Sequence, residues 1–245
     1  VTEKGRIRTG SVVLAGGSWS SLFAGNLGIK MPQLKLLSQV MRTRPLSGGP
    51  TGCGSGKGFG FRKRLDGGYN FSMRSAHPVD IVPDSFRYLR DYVPALKNEW
   101  RAMKFRVGKR SVQETLTRRK WQLDERTVFE DIRILRPVPA HKVLDAALVN
   151  IRKIFPVFDE IVVNERMGAW IDVTPDAIPV ISGVDALPGF HIATGFSGHG
   201  FGIAPAAGEL MASLVTGDTP PVDPAPYRHS RFIDGSPVQH WPIGF

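Results

Sequence analysis

One cysteine, Cys53, stands in a chain of 245 residues. Its isolation excludes an intramolecular disulfide and any zinc or iron–sulfur site built on several thiolates. No run of about eighteen apolar residues occurs, so a membrane-spanning helix is not expected. A charged start followed by an apolar stretch is also missing, which argues against a secretory signal. The expectation is a cytoplasmic chain, peripheral to a membrane at most. The six histidines (His77, His141, His191, His199, His229, His240) are scattered, and none lies four residues from another, so no metal is expected. No internal repeat is found.

What is present is the composition of a globular chain, with 42% hydrophobic and 22% charged residues, and general disorder is excluded. The net charge of +10 is unevenly spread. Nine basic residues (Lys97, Arg101, Lys104, Arg106, Lys109, Arg110, Arg118, Arg119, Lys120) face only Glu99 and Glu114 in the same stretch. A run of this kind is a solvated helix face or a docking surface for another subunit. No aromatic-interleaved or helix-turn-helix pattern accompanies it, so nucleic acid is not the expected partner. The chain opens on Val1 in a strand-like stretch, as a fragment or a processed chain would.

Hydrophobic periodicity supplies the elements. Ser11–Ala15 is a short buried strand closed by Gly16 and Gly17, and Trp19–Leu27 is a helix that Ser18 or Ser20 can cap and Gly28 can stop. Leu34–Leu46 and Tyr69–Met73 are β-compatible. Between them, residues 48–60 hold seven glycines and are expected to form a mobile or tightly turned loop. Helical spacing recurs over Phe86–Leu96, where Pro94 interrupts it, and over Val143–Phe155, which Pro156 ends. Strand pieces follow at Ala169–Asp172, Pro179–Ser182 and Phe190–Thr194. A glycine cluster then leads into a helix over Ile203–Thr216, with Pro205 in its first turn and Gly217 after its end. The proline-rich tail from Asp218 has no clear element.

The chemistry concentrates at 190–204, where a strand, a glycine-rich turn and a helix start follow one another. Such a turn leaves backbone N–H groups unpaired at a helix N-terminus carrying about half a positive charge. An anionic or electron-rich ligand belongs there, and glycines let a planar one approach the main chain. Close packing of the helix on the sheet is the alternative use of the same glycines. Three other motifs fail on spacing. Gly195-Phe196-Ser197-Gly198 has His199 where a nucleophile elbow needs glycine. The loop Gly52–Gly58 departs from a P-loop, since Gly52 is too close to Gly56 and glycine follows Lys57. No G-x-G-x-x-G turn lies between a strand and a helix.

Three segments in order, Val12–Ser20, Ile171–Ile181 and Gly195–Gly202, make the chain resemble the C-terminal two thirds of the FAD-dependent D-amino-acid oxidase family. Within the family, the resemblance is to the branch of sarcosine oxidase β-type chains, D-hydroxyproline dehydrogenase and opine oxidase subunits, whose ending the stretch Asp223–Phe232 also matches. The implied fold is α/β (α+β): part of a Rossmann-like FAD-binding domain at 1–30 and 175–245, and an antiparallel-sheet substrate-binding domain at 31–174. The implied activity is oxidation of the C–N bond of an amino acid or secondary amine (a D-amino acid, hydroxyproline, sarcosine or an opine) by hydride transfer to flavin. The alternative is a non-catalytic, partner-docking subunit of a flavoenzyme complex, and further subunits are conceivable partners in either case.

The resemblance assigns flavin contact to Ala15, Gly16, Gly17, Trp19, Gly195, Gly198, His199, Gly200, Phe201, Gly202 and Ile203. No catalytic acid or base is assigned. Three departures qualify the expectation. The family's G-x-G-x-x-G segment would precede Val1; Ile171 stands where glycine and D-amino-acid oxidases carry a carboxylate-clamping arginine; and Ala169 stands where monomeric sarcosine oxidases attach flavin through cysteine. Non-covalent FAD is therefore expected, with Cys53 a bystander.

Overall fold

A computed structural model describes residues 1–73, 77–100 and 103–237. Arg101 of the basic run and His240 lie outside the described residues. In chain order the elements are β1 (Val12–Leu14), α1 (Ser20–Asn26), β2 (Leu34–Thr43), β3 (Cys53–Gly56), β4 (Phe59–Lys63), β5 (Tyr69–Ser72) and β6 (His77–Asp80). Then come α2 (Pro83–Arg87), α3 (Leu89–Glu99), β7 (Met103–Arg106), α4 (Lys109–Leu116), α5 (Val128–Asp131) and α6 (His141–Ile154). β8 (Val163–Val173), β9 (Val180–Gly183), β10 (Phe190–Thr194) and α7 (Gly200–Thr216) complete the order.

The larger sheet runs β3-β4-β5-β2-β8 and is antiparallel throughout. Its spine is the long pairing of β2 with β8, in register from Leu34 opposite Val173 to Arg42 opposite Glu165, with a bulge before Thr43. Under it lies α6, whose buried Leu144, Ala147, Leu148 and Ile151 repeat at helical spacing. They pack on Met41 and a knot of rings in which Phe158 meets Tyr69 at 4.9 Å and Phe71 at 5.2 Å, both edge to face.

The smaller sheet, β1-β10-β9, is mixed: β1 runs parallel to β10, and β9 antiparallel to it. One face takes Ala207, Leu210 and Met211 of α7 against Ile181. The other takes Ala24 of α1, Met31 and Phe232 against Val180 and Ile192. A third, two-stranded sheet pairs β6 with β7.

Several expectations change. Much of the glycine-rich stretch 48–60 is not a loop but the β3–β4 hairpin, closed by Lys57 and Gly58. A side chain at Gly56 would meet the Phe59 ring at 2.6 Å, so glycine there makes room for a cross-strand ring instead of loosening the chain. Pro94 does not interrupt α3, which continues to Glu99; the helical stretch breaks at Tyr88 instead. α7 begins three residues earlier than expected, so Pro205 falls in its second turn, where it cannot supply the N–H that the Phe201 carbonyl would take from position i+4. Neither Ser18 nor Ser20 caps α1: a single 3-10 turn over Gly17–Trp19 leads into it, and the Ser18 hydroxyl donates to the Trp170 carbonyl at 3.3 Å. The tail is anchored by two short 3-10 turns and by Arg231, buried against Asp176 at 2.7 Å.

Candidate functional site

Because β1 and β10 are parallel, Ala15–Gly17 and the turn from Gly195 leave at the same carboxyl end of the sheet. That is where open α/β sheets receive ligands. The two motifs are also tied directly. The buried Thr194 hydroxyl lies 3.1 Å from the Gly17 carbonyl and 3.0 Å from Asp172 Oδ2, and donates to one of them.

Asp172, near the end of β8, organises the turn. Its Oδ2 accepts the Gly195 N–H at 2.7 Å and lies 3.2 Å from Gln33 Nε2, while its main-chain carbonyl accepts the Ser197 N–H at 2.9 Å. Gln33 reaches the Gly17 carbonyl as well, at 3.2 Å. Gly195 has φ +75° and would drive a side chain into Thr174; Ser197 takes a left-handed conformation (φ +51°), held by its hydroxyl donating to the Gly195 carbonyl at 3.1 Å.

Beyond the turn, the start of α7 stands clear of the rest of the chain. Gly198, His199, Phe201, Gly202 and Ile203 are exposed, with Phe201 wholly so, and no atom lies within 4 Å of where a Gly202 side chain would start. No side chain caps the helix, and no acidic residue stands in its first turn. The free N–H groups and the helix dipole therefore present a positive pole next to apolar surface. Ala15 and Gly16 are exposed too, and the outer edge of β1 leaves Val12 and Val13 about half open. The glycine turn thus meets the needs of a flat, electron-rich ring: close main-chain approach, unpaired donors and no competing carboxylate. Ile171 lies beneath it, its Cδ1 3.4 Å from the position of a Gly198 side chain. Ala169, two residues earlier, shares that face of β8 and is exposed.

Trp19 does not join this group. It lines a cavity of about 700 Å³ on the other face of the β2–β8 pair, with Lys35, Leu37 and Trp170, and none of residues 195–203 borders it. The basic run is accordingly corrected in part. Arg106, Lys109, Arg110 and Arg119 line this cavity instead of forming one solvated face, and acidic partners distant in sequence draw in Arg106, Arg110 and Arg119. Asp80 pairs with Arg106 at 2.6 Å, and Asp84 with Arg119 at 3.1 Å. Glu114 bridges Lys35 and Arg110, each at 3.1 Å. Lys35 sits 4.7 Å over the Trp19 ring, and Arg110 4.2 Å over the Trp170 ring. Burial alone would raise the Glu114 carboxyl, but two cations outweigh it and hold it below the usual range. Loss of solvent, helped by the nearby Arg110 charge, lowers Lys35 against the pull of Glu114 and Asp84.

Asp172, Gln33 and Thr194 had been given no role from sequence, and nothing in their spacing could supply one, since Gln33 and Thr194 are 161 positions apart. Among the described residues no group of His, Cys, Asp and Glu could hold a metal, and no helix is long and apolar enough to cross a membrane.

A mixed sheet with a glycine turn feeding an open helix start thus stands beside an antiparallel sheet, a mixed α/β fold. The model of the family described as DAO, FAD dependent oxidoreductase, matches residues 1–214, and the chain belongs to that family. It is similar to the L-amino acid deaminase of Proteus myxofaciens, solved in complex with anthranilate, with 37% identity and a TM-score of 0.89 over 95% of this chain and 52% of that one. The L-amino acid deaminase of Proteus vulgaris aligns at 32% identity and a TM-score of 0.87, over 93% of this chain and 53% of that one. A stretch of 52 residues is 48% identical to N-methyl-L-tryptophan oxidase of Salmonella newport, covering 20% of this chain and 14% of that protein. The chain spans about half the length of the two deaminases.

Proposed function

We propose that this chain supplies the substrate sheet and the flavin-ring side of an FAD-dependent enzyme that oxidises the C–N bond of an amino acid, with L-amino acids as the leading substrate class. The observation that carries the reading is the parallel pairing of β1 with β10, which brings Ala15–Gly17 and Gly195–Ile203 to one end of a sheet. The 37% identity over nearly the whole chain to an L-amino acid deaminase supports the substrate class. In this reading residues 1–30 and 175–245 face the cofactor, and 31–174 face the substrate.

FAD, when bound, takes up the two electrons as hydride from the carbon next to nitrogen. The free N–H groups of Gly200, Phe201 and Gly202 and the dipole of α7 hold the electron-rich edge of the ring and favour negative charge there. Gly202, whose missing side chain faces open space, lets the ring approach the main chain, while buried Gly195 makes room for Thr174 and Asp172 fixes the turn. Ala169 offers no nucleophile, so the attachment is non-covalent. Ile171 cannot grip a carboxylate, so another cation of the assembled protein does.

The test is reconstitution of the full-length protein with FAD, followed by a substrate screen. Paired visible flavin bands, bleached by L-amino acids without oxygen, are the expected result. Absence of bands in a folded, FAD-supplemented sample would sink the reading. N-methyl and D-proline-like amino acids belong in the same screen, because the segments Val12–Ser20, Ile171–Ile181 and Gly195–Gly202 resemble the sarcosine and D-hydroxyproline oxidising branch. The match to N-methyl-L-tryptophan oxidase points the same way.

A further inference from the structure

We propose that the cavity behind the β2–β8 pair is a second ligand site, separate from the flavin-facing surface, and that it takes an organic carboxylate with an apolar body about the size of an aromatic ring system. The inference does not depend on the flavin reading.

The volume of about 700 Å³ lies within the range of small-molecule sites. Two features of its wall define the occupant. Lys109 and Arg136 line the cavity, are exposed and have no carboxylate partner among the described residues, whereas the deeper Lys35 and Arg110 are already engaged by Glu114. The mouth therefore carries uncompensated positive charge, and the interior carries a closed ion network that an incoming anion need not disrupt. Ile134 and Val138 also line the cavity, yet are 66% and 78% exposed. An apolar group seated there would cover surface that otherwise faces water. Charge at the mouth and an open apolar wall fit an amphiphilic anion better than a cation, a sugar or inorganic phosphate.

Calorimetric titration of the full-length protein as purified tests this, with indole-3-acetate as the anionic probe and indole as its neutral counterpart. Saturable binding of the acetate at one site per chain is expected, weakened about tenfold in the K109Q/R136Q double variant with indole binding unchanged. Both side chains are exposed and unpaired, so this variant should fold normally, which its unfolding midpoint would verify. H199E, which adds negative charge at the flavin-facing turn, should leave the affinity as it is. Sensitivity to H199E without sensitivity to K109Q/R136Q would place the probe at the flavin face and overturn the proposal. Equal affinity for indole, or no binding of the acetate at millimolar concentration, would overturn it as well.

Discussion

The two sheets of this protein are finished to different degrees. The five-stranded sheet is sealed by α6 and a ring cluster in which Tyr69, Phe71 and Phe158 are almost wholly inaccessible. The three-stranded sheet is closed only on its two faces. The outer edge of β1 is open, and the first turn of α7 stands free with Phe201 in solvent. Apolar surface is left exposed beside free backbone donors at the very place where the family motifs converge. Where packing is complete, this chain stabilises itself; where it is not, the surface is shaped for something else to cover.

Substitutions can break or sharpen that contrast. The largest effect is expected in the sealed sheet: Phe158→Ala should lower unfolding stability by about 3–5 kcal/mol in a denaturant titration. A loss below about 1 kcal/mol would mean the ring cluster is no true core. Next comes the joint between the sheets. Asp172→Ala removes the acceptor of the Gly195 N–H and the carboxylate near Thr194 and Gln33, and should lower stability by about 1–3 kcal/mol while weakening FAD retention on gel filtration.

At the open end the two readouts should move in opposite directions. Gly202→Ala meets nothing within 4 Å and sits in a helix, so stability should rise by about 0.5–1 kcal/mol. FAD affinity should nonetheless fall, because the added methyl projects from the turn proposed to face the ring. A stability gain with unchanged affinity would move the flavin away from that turn.

The smallest effect is electrostatic. The Glu114 carboxyl is held below its usual value of 4.5, so its contribution is present above that value and is lost as pH falls through the lower folded-state value. Urea midpoints of the parent should therefore drop on the acid side of 4.5, and those of Glu114→Gln should drop less. Parallel curves would show that the Lys35–Glu114–Arg110 network contributes nothing to the folded state.

Much of the fold was legible because its signals are local. The helical spacing over Val143–Phe155 announces α6, though its buried face runs through Leu144, Ala147, Leu148 and Ile151 and leaves Ala146 and Ile154 exposed, and β10 followed by glycines announces the turn into α7. The β3–β4 hairpin was not legible, because its glycines answer to rings across the hairpin, and glycine taken alone signals a loop. The basic run misled for a related reason. Its charges were counted along the chain, but Lys35 meets Glu114 from 79 positions away. The glycine turn itself could be read, whereas Asp172 gains its role only once β8 ends beside β10.

The sequence by itself determined α1, α6, β10, the glycine turn, the family motifs and the exclusion of an intramolecular disulfide, since each depends on residue type and short-range periodicity. Only the tertiary structure decided that Gly17 and Thr194, 177 positions apart, share one end of a sheet, and that Trp19 turns away from that end into a charged cavity. The physical reason is that periodicity says which face of an element is apolar but not which neighbour will cover it. That choice is made by strand pairing and by oppositely charged side chains meeting across long stretches of chain.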